Sequence, residues 1–137
     1  MSAIHRVTAS IGGTPYQVSL SDGAHQWLAD EPASVGGGDS GPTPMELLLS
    51  SLGACTAITL IMYAQRKQWP LTGLQVHLDM AVAADGTDVT RIITLEGELD
   101  ADARERLLHI AKACPVHKLL SNPIRIVSGL AKGELAG

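Results

Sequence analysis

Two cysteines, Cys55 and Cys114, are the side chains of this 137-residue chain best suited to covalent chemistry. A thiolate is a strong nucleophile, and two thiols can cycle through a sulfenic acid and a disulfide. Their contexts differ. Cys55 lies mid-run in LLLSSLGACTAITLIMYA, about three turns into the helix that this run predicts. The helix dipole acts mainly in the first turn, so it does little for Cys55, and a small buried hydrophobe is the plain alternative. Cys114 precedes Pro115 and VHKLL, which predicts an N-cap, where backbone N–H groups and the dipole favour a thiolate. Lys112, His117 and Lys118 add positive potential; a mere junction residue is the alternative there. Local electrostatics thus lean towards Cys114 as the better resting thiolate, while small residues beside Cys55 (Ser50, Gly53, Ala54, Ala57) leave room for an apolar substrate or for close approach of another element.

Other candidates fit poorly. Glu46 lies nine residues before Cys55, about 900° around a helix at ~100° per residue, so the two leave opposite sides. Its better role is the T-x-x-E capping box with Thr43, Pro44 being the first helical residue. A zinc site from Cys55, Cys114 and His117 lacks a fourth ligand. His5, His25 and His77 fall on expected strands. The glycines of VGGGDSGP do not have phosphate-loop spacing, and no Lys-Ser/Thr follows them.

The elements that must position the thiols read as βββ–α–ββ–αα–β. HRVTASIG, YQVSL and AHQWLAD, punctuated by GTP and SDG, predict a three-strand meander. Residues 31–43 are a Gly/Pro/Ser/Asp-rich loop. A helix runs from Pro44 to about Gln68, where Trp69-Pro70 stops it. Leu74, Val76, Leu78, Met80 and Val82 alternate with polar residues over 73–83, and VTRIITLEGEL follows the 84–88 turn, with Val89, Arg91, Ile93 and Leu95 on one phase. Asp100 caps a helix over 101–113, VHKLLS is a short second one, PIRIVSG a last strand, and LAKGELAG a loosely attached tail. The fold class is α+β in one domain, 1–137, with the long helix packed on antiparallel sheet. An alternating βαβ series is absent, which excludes a Rossmann-type sheet.

Composition narrows function. Charged residues are 18% and the net charge is −4, unlike a phosphate-neutralising nucleic-acid binder. Aromatics are 3%, with no Phe, too few for base-stacking platforms or cation cages. The 45% hydrophobic content excludes disorder. Leu47–Ala64 carries no charge, yet Ser50, Ser51, Thr56 and Thr59 dilute it, so a buried central helix is expected rather than a membrane span. The N-terminus lacks an apolar signal region, which predicts a cytoplasmic protein. So short a chain leaves a helix of ~25 residues under-covered, which predicts a homodimer.

Over nearly its whole length the chain resembles the OsmC/Ohr family, on GPTPMELLLSSLGACTA from Gly41, CPVHKLL from Cys114 and the element order. The Met-Glu helix start is most similar to the OsmC-like (YhfA-like) branch. The resemblance implies an intertwined homodimer and a thiol-dependent peroxidase of organic hydroperoxides, some members also using hydrogen peroxide. It implies that Cys55 attacks the peroxide and Cys114 resolves the sulfenic acid into an intrachain disulfide. It further implies a thiol or dithiol reductant, lipoyl proteins among them, and no metal or organic cofactor. Two positions depart from the family pattern. Met45 stands where the peroxidases carry Glu, and no Arg lies between Arg6 and Arg66, with Gly12-Gly13-Thr14 in place of a Gly-Gly-Arg motif. Arg6, Arg91 and Arg125 are the substitutes on offer. A non-enzymatic alternative is a dimeric redox-sensing or apolar small-molecule-binding protein of the same fold, distinguished by its lack of a fast thiol reaction with hydroperoxide.

Overall fold

The computed structural model describes residues 4–131 and the backbone of residues 135–136. The chain divides into two compact units, residues 1–50 and 51–137.

In the first unit, β1 (Thr8–Ile11), β2 (Val18–Ser21) and β3 (Gln26–Ala29) form the expected antiparallel meander, in register Ile11↔Val18 and Val18↔Ala29. The strands are shorter than the sequence suggests. Residues 5–7 have no ladder partner, and Tyr16 takes a left-handed conformation (φ 60°) that belongs to the turn. His5 and His25 therefore lie outside strands, and His25 instead pairs with Asp22 at 2.9 Å. The 31–43 loop contains a 3₁₀ turn, Ala33–Val35, and folds around the buried carboxylate of Asp30. Asp30 accepts from the N–H groups of Glu31 (2.7 Å), Gly38 (3.4 Å) and Ser40 (3.1 Å) and from the Ser40 hydroxyl (2.6 Å). These donors, the Ser40 hydroxyl first, hold its pKa at about 2. A Cβ on Gly37 would collide with the Glu31 carbonyl, so only glycine lets the loop close here.

Helix α1 (Pro44–Lys67) begins as predicted. The Thr43 N–H donates to Glu46 Oε1 (2.8 Å) and the Glu46 N–H to Thr43 Oγ1 (3.2 Å), the reciprocal bonds of a capping box. Its C-terminus has a cause beyond Pro70. Gln68 sits in the left-handed region (φ 59°) while its N–H reaches Gln65 O and the Trp69 N–H reaches Ala64 O, a Schellman end.

The second unit holds the rest of α1, a hairpin and two helices. β4 (Gly73–Ala83) and β5 (Gly86–Glu96) pair over their full length, from Gly73↔Glu96 to Ala83↔Gly86. The hairpin turn is thus tighter than 84–88, because Thr87 and Asp88 continue the ladder. β5 stops at Glu96, not Leu99, since Gly97 turns away at φ 135°. Helix α2 (Ala101–Ala111) is capped by Asp100, whose side chain accepts from the Ala103 N–H, and it ends two residues before Ala113. Leu60 of α1 and Leu107 and Ala111 of α2 are fully buried, with Leu74, Ile93 and Leu95 of the hairpin against them. Each such leucine stabilises the unit by about 1.5–3 kcal/mol. The buried residues of α1 here are Leu52, Thr56, Leu60 and Ala64, one line at i+4 spacing rather than most of the surface. The small-residue stripe has a structural cause as well: a Cβ on Gly53 would lie 2.8 Å from Leu78 Cδ1 of β4. By length and composition α1 would suffice to cross a membrane, yet that i+4 line is covered by the chain's own fold.

Helix α3 (Pro115–Leu120) follows Cys114. The last expected strand is only partly formed. β6 is Ser128–Gly129, paired with β7 (Leu135–Ala136), whereas residues 123–127 have no ladder. Alternating residues alone do not make a strand without a neighbour to take their backbone bonds. The expected loose tail is thus corrected at Leu135–Ala136, which pair; residues 132–134 and 137 lie outside the described residues.

Candidate functional site

Cys55 and Cys114, 59 residues apart in sequence, are brought into hydrogen-bond contact, the Cys55 thiol donating to the Cys114 sulfur. Both are free thiols; Cys55 is half-buried and Cys114 is fully buried. Cys114 is the N-cap of α3, as its Pro115 context predicts. Its backbone is non-helical (φ −59°, ψ 132°), and its sulfur accepts from the His117 N–H at 3.4 Å.

The two sulfurs are electrostatically unequal. Burial, the largest influence on Cys55, pushes its thiol up, and donating to Cys114 pushes it further. Burial also works against a Cys114 thiolate. The Cys55 thiol and the N–H groups of His117 and Val116 outweigh it and bring Cys114 below the ordinary thiol range. Cys114 is therefore the more acidic thiol of the pair.

Arg91 is the residue that sequence reasoning undervalued. It lies on the inward, apolar phase of β5, and a lone cation on such a phase was its signal. Its Nη1 donates to Thr56 Oγ1 (3.1 Å) and its Nη2 donates to His117 Nδ1 (3.0 Å). Arginine has no acceptor, so the His117 Nδ1 is a lone pair and the ring proton of neutral His117 sits on Nε2. Burial, then the charges of Arg91 and Lys112, lower the His117 pKa. His117 is accordingly neutral at pH 7 and does not supply the positive potential expected of it; it supplies a backbone donor and an acceptor. Thr56, buried next to Cys55, donates its own hydroxyl to Leu52 O at 2.7 Å. Arg6 belongs to the first unit, and Arg125 follows α3 in the segment without a ladder. A cavity of about 250 Å³ is lined by Arg91, His117, Leu52, Val89 and Leu120 among others, and by neither cysteine. Among the described residues, no three His, Cys, Asp or Glu side chains cluster as metal ligands would. Glu46 faces its own cap, Thr43, as predicted.

Fold and site together define an α+β protein with a dithiol set between a long helix and a short C-terminal one. The chain belongs to the OsmC-like protein family, whose profile matches residues 36–128. In fold it is similar to the OsmC-like protein of Mycoplasma pneumoniae (TM-score 0.76, 20% identity, 89% of this chain and 90% of that one). It is also similar to an organic hydroperoxide resistance protein of Legionella pneumophila (TM-score 0.63, 19% identity, 86% and 89% covered). A third likeness is to the organic hydroperoxide resistance protein OhrB of Bacillus subtilis (TM-score 0.61, 20% identity, 85% and 90% covered). At these identities the likeness is one of fold. No curated protein matches the chain in sequence.

Proposed function

We propose that this protein is a thiol-dependent peroxidase that reduces organic hydroperoxides through Cys55 and Cys114. The observation that carries the reading is that two free thiols 59 residues apart in sequence come together, one of them capping a helix N-terminus. The fold shared with proteins named for organic hydroperoxide resistance supports it.

Exposure selects the attacking sulfur: peroxide can reach half-buried Cys55 but not fully buried Cys114. The Cys114 sulfur is then the nearest proton acceptor. As Cys55 attacks, its proton passes to the Cys114 sulfur, or to water where that sulfur is displaced or replaced. The Cys55 sulfur bonds to one peroxide oxygen, the O–O bond breaks, and the other oxygen leaves as the alcohol once protonated. Cys55 is now a sulfenic acid, oxidised by two electrons. The Cys114 thiol attacks it, an S–S bond replaces the S–O bond, and the oxygen departs as water. An external dithiol, such as a protein-bound lipoyl group, takes the two oxidising equivalents and restores both thiols. This cycle suits the reducing cytoplasm and uses neither metal nor organic cofactor.

The working unit in this reading is a homodimer. Ile58 and Met62 on α1 are 60% and 56% exposed, and the unpaired 123–127 segment shows Ile124, Ile126 and Val127 to solvent. A second copy covering such apolar surface is the economical solution. Sedimentation at micromolar concentration should give a dimer; a stable folded monomer removes that part. The activity is tested by thiol titration after one equivalent of cumene hydroperoxide. Fast loss of two thiols per chain is expected. No fast reaction would favour a redox-sensing or small-molecule-binding protein of this fold.

A further inference from the structure

We propose that Arg91 is a positioning residue that clamps the two cysteine-bearing helices together and so governs closure of the Cys55–Cys114 disulfide rather than the first attack on peroxide. The residues it bridges are not arbitrary. Thr56 follows Cys55 directly on α1, and His117 is the residue whose backbone N–H holds the Cys114 sulfur on α3. One planar guanidinium thus fixes one helix against the other within one residue of one thiol and three of its partner. The rigid fork suits this task better than a lysine, whose single ammonium cannot satisfy two acceptors in fixed directions.

The support is also load-sharing from a stable element. β5 is paired along its whole length with β4, while α3 is only six residues long and no residue of it is buried. Such a short helix has little of its own to keep it docked. His117 ties it in two ways: its N–H reaches the Cys114 sulfur, beside that of Val116, and its ring nitrogen reaches Arg91. Disulfide formation needs the two Cα atoms within ~7 Å and the sulfurs in a narrow range of directions, so a loosened α3 costs closure far more than it costs attack at Cys55. The step at stake is the second one, in which the Cys114 sulfur displaces the sulfenic oxygen as water, and in this form the inference rests on the peroxidase reading.

The intact protein is compared with Arg91→Met in two experiments. In the first, one equivalent of cumene hydroperoxide is added; sulfenic acid is trapped with dimedone and disulfide is counted by mass. Arg91→Met should form sulfenic acid within about threefold of the parent rate but close the disulfide at least about tenfold more slowly. Equal slowing of both steps would overturn the clamp in favour of a general structural role, and unchanged closure would overturn it outright. The second experiment uses no peroxide: equilibration with oxidised and reduced dithiothreitol gives the effective concentration of the two thiols. A fall of about tenfold in Arg91→Met is expected, and an unchanged value refutes the clamp. If the parent does not react with hydroperoxide, the peroxidase reading fails while the dithiothreitol equilibrium still decides the clamp. Should Arg91→Met not fold, Arg91→Lys, which keeps the charge without the fork, and Thr56→Val, which cuts one arm, are read the same way.

Discussion

Asp30 in the first unit and Cys114 in the second solve the same electrostatic problem. Each is a buried acceptor ringed by donors from its own neighbourhood, and each is held below its ordinary pKa against the cost of burial. They differ in the donors. Those on Asp30 are three backbone N–H groups and a serine hydroxyl, none of which gives up its proton near neutral pH. One donor on Cys114 is the thiol of Cys55, itself a titratable acid of the same kind. A fixed ring of donors makes a structural anion that pins a loop. A ring with an exchangeable member makes a pair that can move a proton and then a bond. A lowered pKa alone therefore does not mark a reactive site; the identity of the donor does.

The largest test of this contrast is Cys55→Ser. It replaces the exchangeable donor by a hydroxyl, so Cys114 becomes an anion of the Asp30 kind. Consumption of cumene hydroperoxide should fall to the level of the buffer reaction, whereas Cys114→Ser should still yield one trappable sulfenic acid on Cys55 without turnover. Retention of fast consumption in Cys55→Ser would reverse the two roles. Next in size is Asp30→Asn, which turns an amide N–H₂ towards donors that need an acceptor. Its melting temperature should fall by several degrees at pH 7, while the rate of the thiols is unchanged. The sign with pH follows from the depressed carboxyl. The advantage of the parent is complete above the ordinary Asp value of 3.8 and shrinks as pH falls towards about 2. A melting difference that persisted undiminished to pH 2 would refute the charge-based account.

A smaller effect concerns titration of the pair. Ultraviolet thiolate absorbance should rise in two macroscopic steps, one below and one above the ordinary thiol range, because burial and donation raise Cys55 while its donors lower Cys114. A single step for both thiols at the ordinary value would mean that the two sulfurs do not share a proton. Smallest is Glu46→Gln. Glutamine keeps the acceptor for the Thr43 N–H, so peroxide consumption should stay within about twofold and the melting temperature should move by a degree or two at most. A large loss of rate at unchanged stability would instead make Glu46 part of the chemistry.

Local signals made much of the molecule legible. The capping box at Thr43–Glu46 fixed the start of α1, and the alternation in 73–83 matched β4 residue for residue. Cys114-Pro115 announced an N-cap that the structure contains. Each of these depends on interactions within a few residues, where chain geometry leaves few choices. The meander and the order of helices and strands followed from the same kind of signal. Where a partner from elsewhere was required, sequence fell short: residues 123–127 alternate like a strand but have no neighbour to bond, and β1 begins only where β2 can pair with it.

The sequence by itself determined that two cysteines existed in different local settings, one mid-helix and one at a helix start, and that Arg91 was a cation on an apolar strand phase. The family resemblance paired the two cysteines; only the tertiary structure decided that Arg91 joins them, through Thr56 and His117. Bringing Cys55 to Cys114 closes a 59-residue loop, and bringing Arg91 to Thr56 and His117 spans 35 and 26 residues. No local propensity encodes such pairings, because they arise from the packing of β5, α1 and the α2–α3 junction on one core. The same packing neutralised His117: its burial, with Arg91 and Lys112 nearby, turned an expected cation into an acceptor.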